Sequence, residues 1–307
     1  MRLWRTRSVS DLSSRAVLVT GASSGIGRAT VEFLSSSGCP IFAGARKSED
    51  LESLSGLANV TPLSLDVTRT EDIERATVRV RETGRGLYGL VNSAGIGNLG
   101  PLAEMTVEEI HEVLAVNFDG VHRMIGAMFP FLRESRGRVV NISSIGGFLV
   151  EPLLGPYNVS KHALEAYTDV LREEVAPLGV RVIAIEPGAF QTSIFDKGLA
   201  RLGDEFRRKW AGSDSVFREQ VLQTLAYIEQ PEVRHRRQYP LPLPVAKAVA
   251  HALFTDDPLP RYVVGTPEEA SHVVDRLLSL IHEVNSSHPG SLSQQELVDR
   301  LGRQGAG

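Results

Sequence analysis

The sequence of 307 residues has few cysteines, few aromatic residues and no long hydrophobic run. The single cysteine, Cys39, excludes an intramolecular disulfide and zinc sites built on several thiolates, and it predicts a cytoplasmic protein. No run of about 18 apolar residues is present, so we expect no transmembrane helix. Residues 1–15 contain four arginines but lack the apolar stretch of a signal peptide.

The charges are nearly balanced, which disfavours a nucleic-acid-binding function. Lys and Arg number 33 against 37 Asp and Glu, and the net charge is -4. The eight histidines form no H-x-x-x-H pattern and have no cysteine partner, so no metal site is predicted. With 42% hydrophobic and 23% charged residues, the chain has the composition of an ordinary globular protein.

Short apolar runs alternate with longer stretches of helical periodicity, a pattern typical of a parallel sheet covered by helices. The runs are continuous, as expected for strands buried on both faces. The pattern predicts a single-domain α/β fold, a Rossmann-type doubly wound parallel sheet of about seven strands with helices on both faces and a helical substrate lid. The predicted strands are residues 16–20, 40–45, 60–65, 89–92, 138–143, 180–185 and 261–265.

Composition and element pattern divide the chain into four parts. Residues 1–14 are predicted to be an N-terminal extension, and residues 15–284 the Rossmann-type domain. Within that domain, the connection of about residues 190–243 is too long for an ordinary loop and predicts a lid. Residues 285–307 are polar and contain Gly and Ser, which predicts a flexible tail.

A glycine-rich turn, Thr20-Gly-Ala-Ser-Ser-Gly-Ile-Gly27, follows the first predicted strand. Glycines permit a tight turn, let the backbone approach a pyrophosphate, and place that anion at a helix N-terminus. A plain glycine turn and a nucleotide-dependent methyltransferase are the alternatives, but the position between strand and helix favours dinucleotide binding. The predicted cofactor-binding residues of this turn are Gly21, Ser23, Ser24, Gly25, Ile26 and Gly27.

The end of the second predicted strand bears on cofactor choice. A dinucleotide fold that prefers NAD carries an acidic residue here for the ribose hydroxyls, whereas Phe42–Lys47 contains none. Arg46 and Lys47 instead offer cations for a 2′-phosphate. We therefore predict NADP(H) as the preferred cofactor, with NAD(H) as the alternative. An exposed loop arginine with no such role is the other interpretation.

The pair Tyr157 and Lys161 is the strongest chemical feature, because residues four apart on a helix lie on the same face. A phenol with a pKa near 10 is a poor acid or base at neutral pH, and an adjacent ammonium stabilises the phenolate. Two unrelated residues on a helix surface would give the same pattern. A hydrolase built on Ser144 and His162 is disfavoured, since no G-x-S-x-G motif surrounds the serine.

With these motifs together, the chain resembles the short-chain dehydrogenases/reductases. The resemblance covers about residues 15–192 densely and extends loosely to about residue 265. The motifs that carry it are TGASSGIG, Asp66-Val67, Asn92-Ser-Ala-Gly95, Asn117 in NFDG, Ser144, YNVSK and Pro187-Gly-Ala-Phe-Gln-Thr192. The family usually has a second asparagine where this chain has Ser93.

The resemblance implies roles for individual residues. Tyr157 would be the general acid/base and Ser144, rather than Ser143, would hydrogen-bond the same substrate oxygen. Lys161 would lower the pKa of the tyrosine and bind the nicotinamide ribose, and Asn117 would hold a water that links Lys161 to solvent. The remaining implied cofactor contacts are Asp66, Val67, Asn92, Ala94, Gly95, Pro187, Gly188, Phe190 and Thr192.

Within the family, the chain is similar to the branch that contains 17β-hydroxysteroid and retinol dehydrogenases. The features that carry this similarity are the segment after the second strand, the sequence SIGGF and the long region beyond PGAFQT. This similarity implies a lipophilic alcohol or ketone substrate and a homodimer or homotetramer. An NADP-sensing regulatory protein on the same fold is the alternative function. The apolar residues that would line the pocket, or belong to the core, are Phe148, Leu149, Val150, Leu153, Leu154, Phe190, Ile194 and Phe195.

Overall fold

The computed structural model describes residues 12–192, 194, 207–211, 214–228, 230, 239–287 and 290–304. Its centre is a parallel sheet of seven strands in the order β3-β2-β1-β4-β5-β6-β7. The strands are β1 Val17–Val19, β2 Ile41–Ala45, β3 Val60–Ser64, β4 Gly89–Asn92, β5 Arg138–Ile142, β6 Arg181–Pro187 and β7 Arg261–Val264. The predicted Rossmann-type fold and all seven predicted strands are confirmed.

Helices of residues 1–265 cover both faces of the sheet, and two further helices follow in the chain. In the order in which the described residues show them, they are α1 Gly25–Ser36, α2 Ser48–Ser55, α3 Thr70–Glu82, α4 Val107–Leu114, α5 Gly120–Ser135, α6 Gly155–Val175, α7 Arg218–Ile228, α8 Leu243–Phe254, α9 Pro267–Ser287 and α10 Gln294–Gln304. Helices α1, α2 and α8 contribute to one hydrophobic core. Helices α3, α5 and α6 contribute to the core on the opposite face.

Strand β1 shows why the predicted strands are continuously apolar. Val17 and Val19 pack into one core and Leu18 into the other, and all three are fully buried. Val17 pairs with Ile41 on β2 and with Gly89 on β4, so β1 has a neighbour on each side. The chain order reverses between β1 and β4, and in open α/β sheets ligands bind at such a switch point, at the carboxyl ends of the strands.

Besides its two ends, the described residues of the predicted lid include two helical parts, the π-helical turn Arg207–Ala211 and α7. Trp210, Val221 and Leu225 from these parts form a small core with Leu99 and Leu153, which we call the lid cluster. Most of residues 195–238 lie outside the described residues, and so do residues 1–11 of the predicted N-terminal extension.

Residues 266–307 form a second compact unit, separate from the unit of residues 1–265. The predicted boundary at residue 284 remains a prediction. Helix α10 lies within the segment predicted to be a flexible tail, so this segment contains regular structure. Within the second unit, Asn285 accepts a hydrogen bond from the Leu292 amide and donates one to the Leu292 carbonyl. Among the described residues, no helix is both long and apolar enough to cross a membrane.

Candidate active site

The glycine-rich turn leaves no room for side chains at its three glycines. Gly21 has φ +65°, and a Cβ there would lie 2.7 Å from the Ala94 Cα. Gly25 has φ +56° and faces Thr192, whose Cβ would be 3.3 Å from an added Cβ. A Cβ on Gly27 would lie 2.3 Å from the Gly21 carbonyl oxygen. The turn therefore presents bare backbone at the start of α1, next to Ala94 and Thr192. Ser23, Ser24 and Ile26 are half-buried on the same turn.

Thr20, to which the sequence analysis gave no role, joins the ends of β1 and β4. Its hydroxyl accepts hydrogen bonds from the amides of Ser93 and Ala94, both at 3.0 Å, and donates to the Val91 carbonyl at 3.5 Å. This contact holds the Asn92–Gly95 segment beside the glycine turn. A hydroxyl residue directly before Gly21 was the only sequence signal for it.

Arg46 lies at the end of β2, where the sequence predicts a 2′-phosphate contact. Its side chain is 66% exposed and lies 3.7 Å from the Asp66 carboxylate. Burial raises the pKa of Asp66, but hydrogen bonds from Thr68 and the charge of Arg46 more than offset this, so the pKa is lowered overall. Lys47 is also exposed and pairs with Glu49 at 3.2 Å. The two cations are thus accessible to an anion at this edge of the sheet.

Val67, predicted to contact the cofactor, belongs to the core. Its side chain is buried, and a Cβ on Gly120 of α5 would lie 2.6 Å from its Cγ2. Only the backbone of Val67 remains for a ligand, whereas the Asp66 carboxylate is partly exposed.

Tyr157 and Lys161 lie on the first turns of α6 and are both buried. The Lys161 Nζ is 5.6 Å from the centre of the Tyr157 ring and donates a hydrogen bond to the Ile142 carbonyl at 2.8 Å. Burial lowers the pKa of Lys161 to about 8, although the charge of Glu165 opposes this shift. The ammonium thus lies beside the phenol, as the sequence predicted.

Asn117 lies in a π-helical turn, Ala115–Asp119, between α4 and α5. Such turns often occur at functional sites. Its amide nitrogen donates to the Ile96 carbonyl at 3.0 Å and to the Ser160 hydroxyl at 2.9 Å, while its oxygen accepts from the Ile96 amide at 2.9 Å. Ser160 in turn donates to the Tyr157 carbonyl at 2.7 Å. Asn117 is therefore connected to α6 through Ser160, and Gly95 lies beside its oxygen.

Ser144 follows β5 and faces Tyr157 across Gly146. A Cβ on Gly146 would lie 3.3 Å from the Ser144 Oγ and 3.4 Å from the Tyr157 Cε1, so both side chains border the same space. The Ser144 hydroxyl accepts from the Gly146 amide at 3.0 Å and donates to the Pro187 carbonyl at 3.5 Å. The structure thus brings together all four predicted catalytic residues, Ser144, Tyr157, Lys161 and Asn117.

Asn158 is a further positioning residue that sequence reasoning missed. Its side-chain nitrogen donates to the carbonyls of Gly146 at 2.9 Å and Leu149 at 3.0 Å, and its oxygen accepts from the Glu151 amide at 3.3 Å. These bonds attach the loop after Ser144 to α6, next to Tyr157. No spacing in the sequence indicates them.

Asn92 is bonded across the sheet. It donates to the Asn141 oxygen at 2.9 Å, and Asn141 donates to the Thr168 hydroxyl on α6 at 2.9 Å. The side-chain oxygen of Asn92 is buried and has no hydrogen-bond partner in the part of the chain that the structure describes. An orphaned buried acceptor at the end of a central strand is consistent with a ligand or water nearby.

The segment after β6 borders the site from a third side. The Gly188 amide donates to the Val264 carbonyl at 2.8 Å, and Phe190 is buried in the core. Gln191 donates through its backbone to the Pro240 carbonyl at 2.9 Å and through its side chain to the Tyr239 carbonyl at 2.6 Å. The two ends of the predicted lid therefore lie side by side.

The residues predicted to line the substrate pocket differ in their burial and in what they contact. Val150 is exposed, Leu153 belongs to the lid cluster, and Leu154 packs against it. Ile194 is half-buried near Gly95. Phe195 lies outside the described residues. Among the residues that the structure describes, no group of three or more His, Cys, Asp or Glu could hold a metal ion.

Known proteins resemble this chain over most of its length. The profile of the short chain dehydrogenase family matches residues 15–201. Mitochondrial D-beta-hydroxybutyrate dehydrogenase of Bos taurus is 32% identical, with 94% of this chain and 85% of the relative covered. Retinol dehydrogenase 16 of Rattus norvegicus is 35% identical, with 86% and 85% covered.

Solved structures share the fold. A short-chain dehydrogenase from Streptomyces avermitilis is 31% identical and superposes with a TM-score of 0.71, covering 89% of this chain and 95% of the other. An alcohol dehydrogenase from Thermococcus sibiricus, complexed with 5-hydroxy-NADP, is 26% identical with a TM-score of 0.64, covering 81% and 95%.

Proposed function

The chain belongs to the short-chain dehydrogenase/reductase family, in the branch like the retinol and hydroxysteroid dehydrogenases, and on that premise we propose an NADP(H)-dependent interconversion of a lipophilic ketone or aldehyde with its alcohol. The observation that carries the proposal is the arrangement of Ser144, Tyr157 and Lys161 around one space at the carboxyl end of the sheet. Its chemistry suits exchange of a proton with a substrate oxygen.

The residues present fit a dinucleotide. Gly21, Gly25 and Gly27 form a turn that is packed too closely against Ala94, Thr192 and its own backbone to carry side chains, and it leads into the N-terminus of α1. The pyrophosphate would bind there, beside Thr192, and the nicotinamide end would reach the Pro187-Gly188 segment and Lys161. The bound nicotinamide would supply or accept the hydride.

The chain's own residues move and stabilise the proton. In reduction, the Tyr157 Oη gives its proton to the substrate oxygen as the hydride bonds to the carbonyl carbon, and in oxidation it takes that proton back. The Ser144 hydroxyl donates a hydrogen bond to the same oxygen. The Lys161 ammonium stabilises the tyrosinate electrostatically. Asn117 and Ser160 hold the first turns of α6 in place. A water bound there would pass the proton between Lys161 and solvent.

Support for NADP(H) comes from Arg46 and Lys47. Both are exposed at the end of β2, where a 2′-phosphate would bind, and the Ala45 position holds no carboxylate to repel it. Asp66 carries a negative charge there, but its Oδ2 lies 3.7 Å from Arg46 and its Oδ1 accepts hydrogen bonds from the Thr68 amide and hydroxyl. The solved relative from Thermococcus sibiricus also carries an NADP derivative.

The lipophilic substrate is supported by the lid cluster and by the relatives named as retinol dehydrogenases. The cluster packs Trp210 and apolar residues of α7 onto the loops that precede α4 and α6. The second of these is the loop of residues 143–154, which we call the serine loop, and the cluster gives it an apolar wall. A homodimer or homotetramer, formed through residues 106–135 with α4 and α5 and through residues 158–178 of α6 and the turn after it, and a cytoplasmic location complete the proposal. Gel filtration tests the first, and fractionation of cells tests the second.

The variant Tyr157→Phe tests the mechanism. It removes the proton donor without changing the ring, so we expect kcat to fall by about 10²–10⁴-fold or more while the NADPH dissociation constant stays within about twofold. Turnover is measured by NADPH absorbance over a panel of ketones, aldehydes and alcohols, and binding is measured by calorimetry. Full activity of the variant contradicts the mechanism. Tight NADPH binding by the wild type without turnover of any compound favours the sensor function instead.

A further inference from the structure

A partly buried cluster of charges lies behind the loop that carries Ser144. Arg261 on β7 donates through Nη1 to Glu165 on α6 and, at 2.9 Å, to Glu186 on β6, and through Nη2 to Asp169 on α6. The side chains of Glu165 and Glu186 are only 7% and 1% exposed. Buried ion pairs contribute little net stability, because their desolvation costs about as much as their attraction returns. The location of the cluster is therefore a better guide to its role than its contribution to stability.

The cluster joins the three segments that border the reacting atoms. Glu165 is one turn after Lys161 on α6, and Glu186 directly precedes Pro187. The Arg261 guanidinium lies 5.4 Å from the centre of the Phe148 ring, on the loop that follows Ser144. One arginine therefore fixes α6, the end of β6 and the serine loop relative to each other.

Glu165 touches the serine loop directly, at Gly147. A Cβ on Gly147 would lie 2.8 Å from the Glu165 Cγ and 3.2 Å from both the Glu165 Oε1 and the Ser143 Oγ. The Glu165 Oε1 and the Ser143 Oγ are buried, and neither has a hydrogen-bond partner among the described residues. Gly147 of the serine loop packs so closely against the Glu165 side chain that no larger residue fits at position 147. The position of the Glu165 side chain therefore determines the position of the serine loop.

Glu165 also acts on Lys161 through its charge. Burial lowers the pKa of Lys161 to about 8, and the Glu165 carboxylate opposes that shift. The other charged groups around Glu165 are Asp169 on its own helix, Arg261 on β7 and Glu186 on β6. Burial and the charge of Glu165 raise the pKa of Glu186 to about 7.

We propose that Glu165 is a positioning residue for the reaction: its carboxylate, held by Arg261, fixes the serine loop against α6 and supplies a negative charge one helical turn from Lys161. This inference rests on the proposed function for its effect on turnover. Its effect on Tyr157 is measurable without any substrate.

The experiment measures the ultraviolet absorbance of tyrosinate as a function of pH. The absorbance of the same protein carrying Tyr157→Phe is subtracted, so that the difference reports the titration of Tyr157 alone. The variants are Glu165→Gln, which keeps the shape, and Glu165→Met, which keeps the length and suits a buried site. Loss of the Glu165 charge makes Lys161 release its proton more readily, and a neutral Lys161 stabilises the tyrosinate less. Because Glu165 is one helical turn from Lys161 but two from Tyr157, this effect outweighs the direct effect of the charge on the phenol. We expect the half-titration pH of Tyr157 to rise by about 0.5–1 unit in both variants.

The matched control is Glu173→Gln, which removes an exposed carboxylate two turns further along α6 and should leave the titration unchanged. An unchanged half-titration pH in whichever Glu165 variant folds overturns the proposal. Where the wild type turns over a substrate, kcat of the Glu165 variants should fall about tenfold with NADPH affinity unchanged, and an unaltered kcat overturns the positioning role. A wild type that titrates as expected but lacks turnover contradicts only the proposed function.

Discussion

Lys161 is both buried and charged, so its side chain lowers the free energy of unfolding. It is 4% exposed, and among the described residues its one hydrogen bond is to the Ile142 carbonyl at 2.8 Å. Burial lowers its pKa to about 8, so the ammonium is retained at neutral pH at the expense of stability. Active sites commonly hold such groups because their chemistry requires them.

Lys161→Met should therefore stabilise the protein at neutral pH. The pKa of Lys161 is about 8 in the folded protein against 10.5 as its ordinary value, so the unfolded chain binds more protons between these limits. The unfolding free energy of the wild type consequently rises with pH in this window, and the variant lacks that rise. We expect the stability advantage of the variant to shrink by about 3 kcal/mol from pH 7 to above pH 10.

Urea unfolding at a series of pH values measures this difference. Lys247→Met, on α8, is a suitable control because it removes an exposed ammonium. An advantage that does not vary with pH would show that Lys161 keeps its ordinary pKa in the folded protein.

Cofactor choice is decided at the residue scale as well. Replacing Ala45 by Asp and Arg46 by Ala introduces a carboxylate that accepts ribose hydroxyls and removes a cation that binds a 2′-phosphate. We expect the ratio of kcat/KM for NADP to that for NAD to fall by about 10–100-fold. Steady-state kinetics with both cofactors measure it, and the interpretation of Arg46 fails if the ratio does not move.

At the scale of elements, Arg138 joins β5 to the end of α8. It is buried at the start of β5 and donates to the carbonyls of Ala252 at 2.6 Å and of Thr255. These carbonyls lie at the C-terminus of α8, where the helix dipole favours a cation. The guanidinium thus satisfies carbonyls that the helix leaves unpaired.

Arg138→Met should destabilise the protein by about 2–4 kcal/mol, because it leaves buried carbonyls without donors. Urea unfolding measures the loss. Arg181→Met is the matched control, since Arg181 begins the neighbouring strand β6 and makes only an exposed ion pair with Asp257 at 3.6 Å. It should change stability by about 0.5 kcal/mol or less. Equal losses in the two variants would contradict the role given to Arg138.

The strands and the catalytic motif were predictable because their signals are local. Strands buried on both faces read as continuous apolar runs, and the pair Tyr157 and Lys161 share one helix face. Thr20, Asn158 and Arg261 were not predictable, because their roles depend on contacts made by folding. Thr20 bonds to Ser93, 73 residues away, and Arg261 bonds to Glu165, 96 residues away. No periodicity in the sequence encodes such distances.

At the scale of the molecule, residues 1–265 contain all seven strands and every candidate site residue. Residues 266–307 form a unit of their own with α9 and α10. The residues that belong neither to the sheet nor to the helices packed on it thus lie in the predicted lid and in this second unit.

A chain ending at Gly265 should therefore keep the cofactor site. We expect it to bind NADPH with a dissociation constant within about threefold of the full-length value, because compact units with their own core commonly fold independently. Calorimetry with both chains measures this, and circular dichroism checks that the shorter chain is folded. A folded but non-binding short chain would show that the second unit is needed for the site.

The strand order also affects synthesis of the protein. Strand β1 leaves the ribosome first yet lies in the interior of the sheet, and its contact with β4 joins Thr20 to Val91, 71 residues later. At about 5–20 residues per second, the β4 side of this apolar strand stays uncovered for about 4–14 s. During that time the nascent chain presents an unpaired strand edge, which is a site for aggregation and for chaperone binding.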